Sequence, residues 1–200
     1  MPLPIQLAIE SVELKSNSPT ILSEGRNLVT LTRTIPTHRW EMTLKSVNLS
    51  SLDSRAVSAW VNSLGGRNGT FTAVIPEISS PKGAATGSPV VSGSHAIGVG
   101  VVSASAFAAN VVGQLKAGDM LKFANHSKVY QVTQDVSSSA TGSATVNIYP
   151  KLMKAVPAGT ALTIKDVPFL LRLDNDIQEY KLSANNSGFV RLELDCIEVL

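Results

Sequence analysis

Between residues 116 and 152 three short apolar runs stand close together, separated by turn-formers, and this stretch constrains the fold more than any other. Residues 120–123 are mostly apolar, Val129 and Val132 flank Tyr130, and Val146 and Ile148 alternate with Thr145, Asn147 and Tyr149. Apolar side chains at every second position mark strands with one face buried. On this reading Tyr130 and Tyr149 both point outward. The joint Ala124-Asn125-His126-Ser127 suits a hairpin, because Asn tolerates left-handed backbone and bonds its own turn. The stretch therefore reads as a three-stranded antiparallel meander inside a small β domain.

The rest of the chain is also strand-rich. Near the start Ile5, Leu7 and Ile9 alternate with Gln6 and Ala8, and after a one-step slip at Glu10-Ser11 Val12 and Leu14 alternate with Glu13, which reads as one bulged strand ending at Ser16-Asn17-Ser18-Pro19. Residues 28–35 read as a second strand, with Val29, Leu31 and Ile35 opposing Thr30, Thr32 and Thr34. Trp40, Met42 and Leu44 restart the alternation after Pro36. One helix is expected from about Ser51. Ser50 or Ser51 can cap it and Asp53 favours its first turn. Val57, Trp60, Val61 and Leu64 make one helical face, and Gly65-Gly66 supplies a left-handed stop. Residues 71–75 form another strand.

Composition changes at Ser79. Residues 79–113 are rich in Ser, Ala, Gly and Val, and residues 96–102 read as a strand whose glycines allow curvature. Val167-Pro168 marks a return to strong alternation. Phe169, Leu171 and Leu173 lead to the turn Asp174-Asn175-Asp176, residues 177–182 run back, and residues 189–200 form a last strand. In that strand Val190, Leu192, Leu194 and Cys196 share a face opposite Arg191, Glu193 and Asp195. The expected organisation is one discontinuous β domain, residues 1–77 and 165–200, with a second β domain inserted at 78–164. Insertion is tolerated where a domain's ends lie close together at the surface.

Charge sharpens this division. The whole chain is nearly balanced, at +2. Residues 78–164 hold six lysines against Asp119 and Asp135, whereas the remainder carries eleven basic and thirteen acidic residues. The overall balance gives no argument for membrane or nucleic-acid binding by the whole chain. Cys196 is the sole cysteine, which excludes an intramolecular disulfide and a cysteine-based metal site, and it reads as a small core hydrophobe. The N-terminus lacks a signal-peptide pattern and no apolar run reaches the roughly 20 residues of a membrane span, so the expectation is folding in a cytoplasm.

The pattern Gly118-Asp119 before an apolar strand, then Lys128-Val129-Tyr130-Gln131-Val132, a polar loop and Ile148-Tyr149-Pro150-Lys151-Leu152, resembles the inserted domain of distal tail proteins from long-tailed, non-contractile bacteriophages. The earlier order of strand, helix, Gly66-Arg67-Asn68-Gly69 turn and aromatic strand resembles that family's ring domain. The resemblance implies a mainly β protein: a sandwich-like ring domain with one short helix, carrying an inserted OB-like small barrel. It further implies a structural virion protein. Copies would form a six-fold ring at the distal end of the tail, between the tail tube protein and the tail tip hub protein, with the insert facing outward towards a possible glycan or side fibre.

No residue pattern points to catalysis, a cofactor or a metal. His38, His95 and His126 lack metal-pair spacing, no serine sits in a nucleophile elbow, and Gly98-x-Gly100 precedes no helix. Asp174-Asn175-Asp176 lacks the later residues of a calcium loop and reads as a turn. Asp119 reads as a turn cap. OB-folds bind oligosaccharides or oligonucleotides with aromatic and basic side chains, so Lys122, Phe123, Lys128, Tyr130, Tyr149 and Lys151 form the possible ligand or partner face of the insert. A carbohydrate- or single-strand-binding module is the alternative to the structural role.

Overall fold

The computed structural model describes residues 1–4, 7–24, 26, 28, 30–178 and 191–200. In chain order the first elements are β1 (Ile9–Asn17), β2 (Thr20–Glu24), β3 (Thr30–Thr34), β4 (Arg39–Ser46), α1 (Ser51–Ser63), a 3-10 turn (Gly66–Asn68) and β5 (Thr70–Ala73). Then come β6 (Gly87–Val91), β7 (Val101–Phe107), β8 (Met120–Phe123), β9 (Val129–Val132), β10 (Ala144–Tyr149), β11 (Leu162–Thr163), β12 (Phe169–Leu173) and β13 (Glu193–Glu198). The protein is mainly β, as the alternating runs predict. Two compact units emerge: Met1–Ser16 with Trp40–Pro76 and Pro168–Val199, and Asn17–Arg39 with Glu77–Val167 and Leu200. Among the described residues no helix is long and apolar enough to cross a membrane.

The first unit is a five-stranded sheet in the order β1-β4-β13-β12-β5. Its inward residues are those the alternation names: Trp40, Met42 and Leu44 on β4, Phe169, Leu171 and Leu173 on β12, and Leu192, Leu194 and Cys196 at β13 are all buried. Burial, with Asp195 and Asp174 nearby, pushes the Cys196 thiol up to about 12, so it stays protonated and inert. Val190 and residues 179–182 lie outside the described residues.

Helix α1 begins where its caps predict. Ser50 Oγ accepts from the Asp53 N–H at 3.1 Å, and Gly65 leaves the helix at φ 63°. Val57, Val61 and Leu64 are buried, while Trp60 is only partly so and meets Phe71 of β5 edge-on at 5.1 Å. The Asp174-Asn175-Asp176 turn is clasped by the turn after α1. Asp176 accepts from the Arg67 N–H at 3.0 Å, and Arg67 Nε donates to the Asp174 carbonyl. A Cβ on Gly66, itself at φ 65°, would stand 2.8 Å from Asp176 Oδ1, so glycine is needed for both conformation and space.

In the second unit six strands run β11-β8-β9-β10-β7-β6. The two end strands meet through a Val90–Ala161 bridge, with Val91 N–H on Thr160 O and Gly159 N–H on Val91 O, both 2.9 Å. The sheet thus curls into a nearly closed small barrel. Leu121 and Phe123 of β8, Val146 and Ile148 of β10, and Val102 and Ala104 of β7 fill its interior. The strand expected at 96–102 begins only at Val101, because Gly98 turns the chain at φ 85°. Residues 98–100 instead bond to the end of β10 and the segment after it, with Ile148 N–H on Gly100 O at 2.9 Å and Gly98 N–H on Leu152 O at 2.8 Å.

Strand β3 corrects a second expectation. Its alternation predicts a buried face, but β3 pairs only with β2, and every residue of both strands is exposed. Leu31 is 69 % exposed. Alternation requires a covering layer to mean burial, and no described element covers this hairpin. Val29 lies outside the described residues.

Candidate functional site

The six residues expected on one face of the insert do not share one. Tyr130 is fully buried, correcting the expectation that it points outward. Period two places Tyr130 with Val132, both in the barrel core, and leaves Val129 and Gln131 on the other side. Phe123 is likewise in the core, and Lys128 is buried at 2 % exposure. Lys122 is partly exposed and Lys151 exposed.

Tyr149 does point out of the barrel, at 38 % exposure. Its ring meets His38 edge-on at 5.2 Å, and its hydroxyl hydrogen-bonds to Ser18 Oγ. Ser18 and His38 bracket β2 and β3, so Tyr149 holds the base of the hairpin. His38 is itself buried. That burial, reinforced by the Lys128 charge, lowers its pKa to about 4.

The β8–β9 turn carries a polar chain that the sequence did not signal. Tyr130 OH accepts from the Met153 N–H at 3.2 Å and lies 2.8 Å from His126 Nε2. Its own proton then goes to Nε2, so Nδ1 carries the ring's N–H and donates to Asn125 Oδ1 at 2.7 Å. Asn125 Nδ2 donates to Ala155 O at 2.9 Å. The imidazole stacks on Phe123 at 5.8 Å with the planes 24° apart. Burial, then Lys154, Lys122 and Lys128, lower the His126 pKa to about 4, so the ring is neutral and acts as a hydrogen-bonding joint. A spacing of three and four residues linking Phe123, His126 and Tyr130 across a turn is the available sequence signal. It is indistinct until the strands around it pair.

Asp119 is a cap of unusual reach. Its carboxylate is buried and accepts from the N–H groups of Lys82 (2.7 Å), Lys116 (2.8 Å) and Gly83 (3.1 Å). Gln114, also buried, clamps the same region: Oε1 accepts from Thr86 N–H at 2.9 Å, and Nε2 donates to Ala108 O at 3.1 Å. These side chains tie the segment entering the barrel to β8. Among the described residues, no three His, Cys, Asp or Glu side chains gather closely enough to hold a metal ion.

With Phe123 and Tyr130 in the core, no pair of adjacent exposed rings remains among these residues on which bases could stack. What persists is a rigid barrel bearing a cationic turn, with chemistry suited to docking.

Comparison with known proteins agrees with this architecture. Residues 78–164 match a family model described as "Distal tail protein pb9, B domain". No curated protein matches the chain. Over residues 78–164 the chain is thus similar to the B domain of distal tail protein pb9, and this similarity supports a structural protein of the phage tail.

Proposed function

We propose that copies of this chain assemble into a closed six-fold ring at the distal end of the tail, joining the tail tube protein to the tail tip hub protein. Residues 1–77 and 165–200 build the ring-forming domain, and residues 78–164 are an insert carried on it. The observation that carries this reading is the β2–β3 hairpin. A two-stranded hairpin alone in water is marginal at best. This one exposes Ile21, Leu22 and Leu31 on its strands and Leu28 beyond β2, each more than half accessible. Apolar side chains on a projecting element mark a surface that another chain covers. A patch of that kind, repeated on every copy and meeting a different patch on the next, closes a ring when the rotation closes.

Leu22→Asp with Leu31→Asp is expected to leave the monomer folded and to cut self-association by a hundredfold or more. Two charges would then have to be buried in the contact. Light scattering across a concentration series reads this, and electron microscopy of the wild-type particle checks for a closed ring. A double variant that assembles like the wild type would remove the hairpin from the interface. An open or asymmetric wild-type particle would end the ring reading.

The insertion makes a second expectation. Residues 78–164 alone should fold with β-type circular dichroism and one cooperative melt. The chain lacking them, rejoined by a short Gly/Ser linker, should keep the five-stranded sheet folded but lose assembly, because the hairpin loses Tyr149 at its base. A disordered fragment would sink the inserted-domain organisation, and a deletion variant that assembles like the wild type would show that the interface does not need the hairpin.

A further inference from the structure

The carboxylates of the family-matched segment are already committed. Asp119 serves backbone N–H groups, and Asp135 pairs with Lys116 at 2.6 Å. Lys82 is taken by Glu77. Lys122, Lys151 and Lys154 remain, and two of them, Lys122 and Lys154, flank one turn. Lys122, Lys128 and Lys154 all act electrostatically on His126. Lys154 Nζ also reaches the Asn125 carbonyl at 3.4 Å. Lys122 stands between Val129 of β9 and Thr163 of β11, pointing outward because its neighbours Leu121 and Phe123 face the core. Neither Lys122 nor Lys154 has a carboxylate partner among the described residues. Like charges held together without a counter-charge repel one another, and an arriving anion relieves that repulsion.

The turn is built to hold still. His126, Asn125 and Tyr130 spend their polar groups on one another and on the 153–155 backbone. The partly exposed Ser127 hydroxyl has no partner among the described residues and is open to a sugar oxygen.

We infer that this turn, with Lys122 and Lys154 beside it, binds an anionic glycan, a sugar polymer carrying phosphate or carboxylate groups. Two observations select that class. Nucleic-acid strands need adjacent exposed rings for their bases, and Phe123 and Tyr130 are both fully buried. Protein partners need an apolar centre, and no large apolar side chain is exposed within residues 120–132 or 151–156. What is left is charge with a hydroxyl, which suits a hydrated polyanion. The inference goes beyond the ring reading and does not depend on it.

The test uses the full-length chain on immobilised poly(glycerol phosphate), hyaluronate and neutral dextran, with a fluorescent 20-nucleotide oligo-dT in parallel. Retention is expected on the phosphate polymer, the carboxylate polymer or both, weakening with salt. The polymer preferred identifies the anion. Lys122→Glu with Lys154→Glu should cut that binding at least tenfold while the melting curve and light scattering stay those of the wild type. Lys165→Glu with Arg55→Glu makes the same change in net charge elsewhere and should retain binding. Equal losses in both double variants would reduce the effect to overall charge and overturn the site. Retention on dextran as strong as on the anionic polymers, oligo-dT bound as tightly as either, or no retention on either anionic polymer would each overturn it as well.

Discussion

Asp119→Ala is expected to destabilise the barrel unit by about 3–5 kcal/mol, since a hydrogen bond to a charged group contributes about 1.5–3 kcal/mol. Its carboxylate accepts three backbone N–H groups at 2.7–3.1 Å, and two of them, Lys82 and Gly83, belong to the segment entering the barrel. Alanine leaves those donors without their acceptor and opens a small void beside Met120. Asn should recover little, because its amide nitrogen would face N–H donors where a carboxylate oxygen stood. Calorimetry should show the barrel's transition falling by many degrees while that of the five-stranded sheet holds. Loss of less than 1 kcal/mol, set against the magnitude of a charged hydrogen bond, would mean that water replaces the carboxylate and that Asp119 is an ordinary turn residue.

Acid should unfold the barrel unit through two histidines. His38 and His126 are held near pKa 4 when folded, chiefly by burial and then by nearby lysines. Unfolded imidazoles titrate near 6.5. Between these values the unfolded chain binds more protons than the folded one, so stability falls as pH falls. The contribution is fully present above about pH 6.5 and exhausted below about pH 4, and reaches about 3 kcal/mol for each ring. Hydrogen exchange at the amides of β10, followed from pH 7.5 to 4.5 and corrected for intrinsic rates, reads the local free energy of opening. His38→Gln with His126→Gln should flatten the profile. A wild-type profile that is already flat would show that neither ring is neutral in the fold for the reasons given.

Some of this protein is written locally. The Ser50 cap, the Gly65-Gly66 stop and the stripe of α1 depend on residues within a turn or two of one another, so periodicity and cap chemistry find them. Trp40, Met42 and Leu44, or Val146 and Ile148, are legible for the same reason. A strand paired in a sheet with one covered face repeats every second residue. The compositional break at Ser79 and the surplus of lysine beyond it also need no fold to be seen.

Where a face is covered, and by what, is decided by residues far apart in sequence. The alternation of β3 is as regular as that of β4, yet β3 is exposed and β4 largely buried: β4 lies between β1 and β13 in the five-stranded sheet, whereas β3 pairs with β2 alone among the described residues. Tyr130 takes the core position because barrel closure through Val90 and Ala161 makes the Val132 side of β9 the inside. Tyr149 meets Ser18 and His38, more than a hundred residues away, and Asp119 meets Lys82 and Gly83 from an earlier loop. A sequence states each residue's preference for water or apolar surroundings. The tertiary structure alone assigns the partner that satisfies it, because contacts are made in space and strand pairing sets which side of each strand is inside.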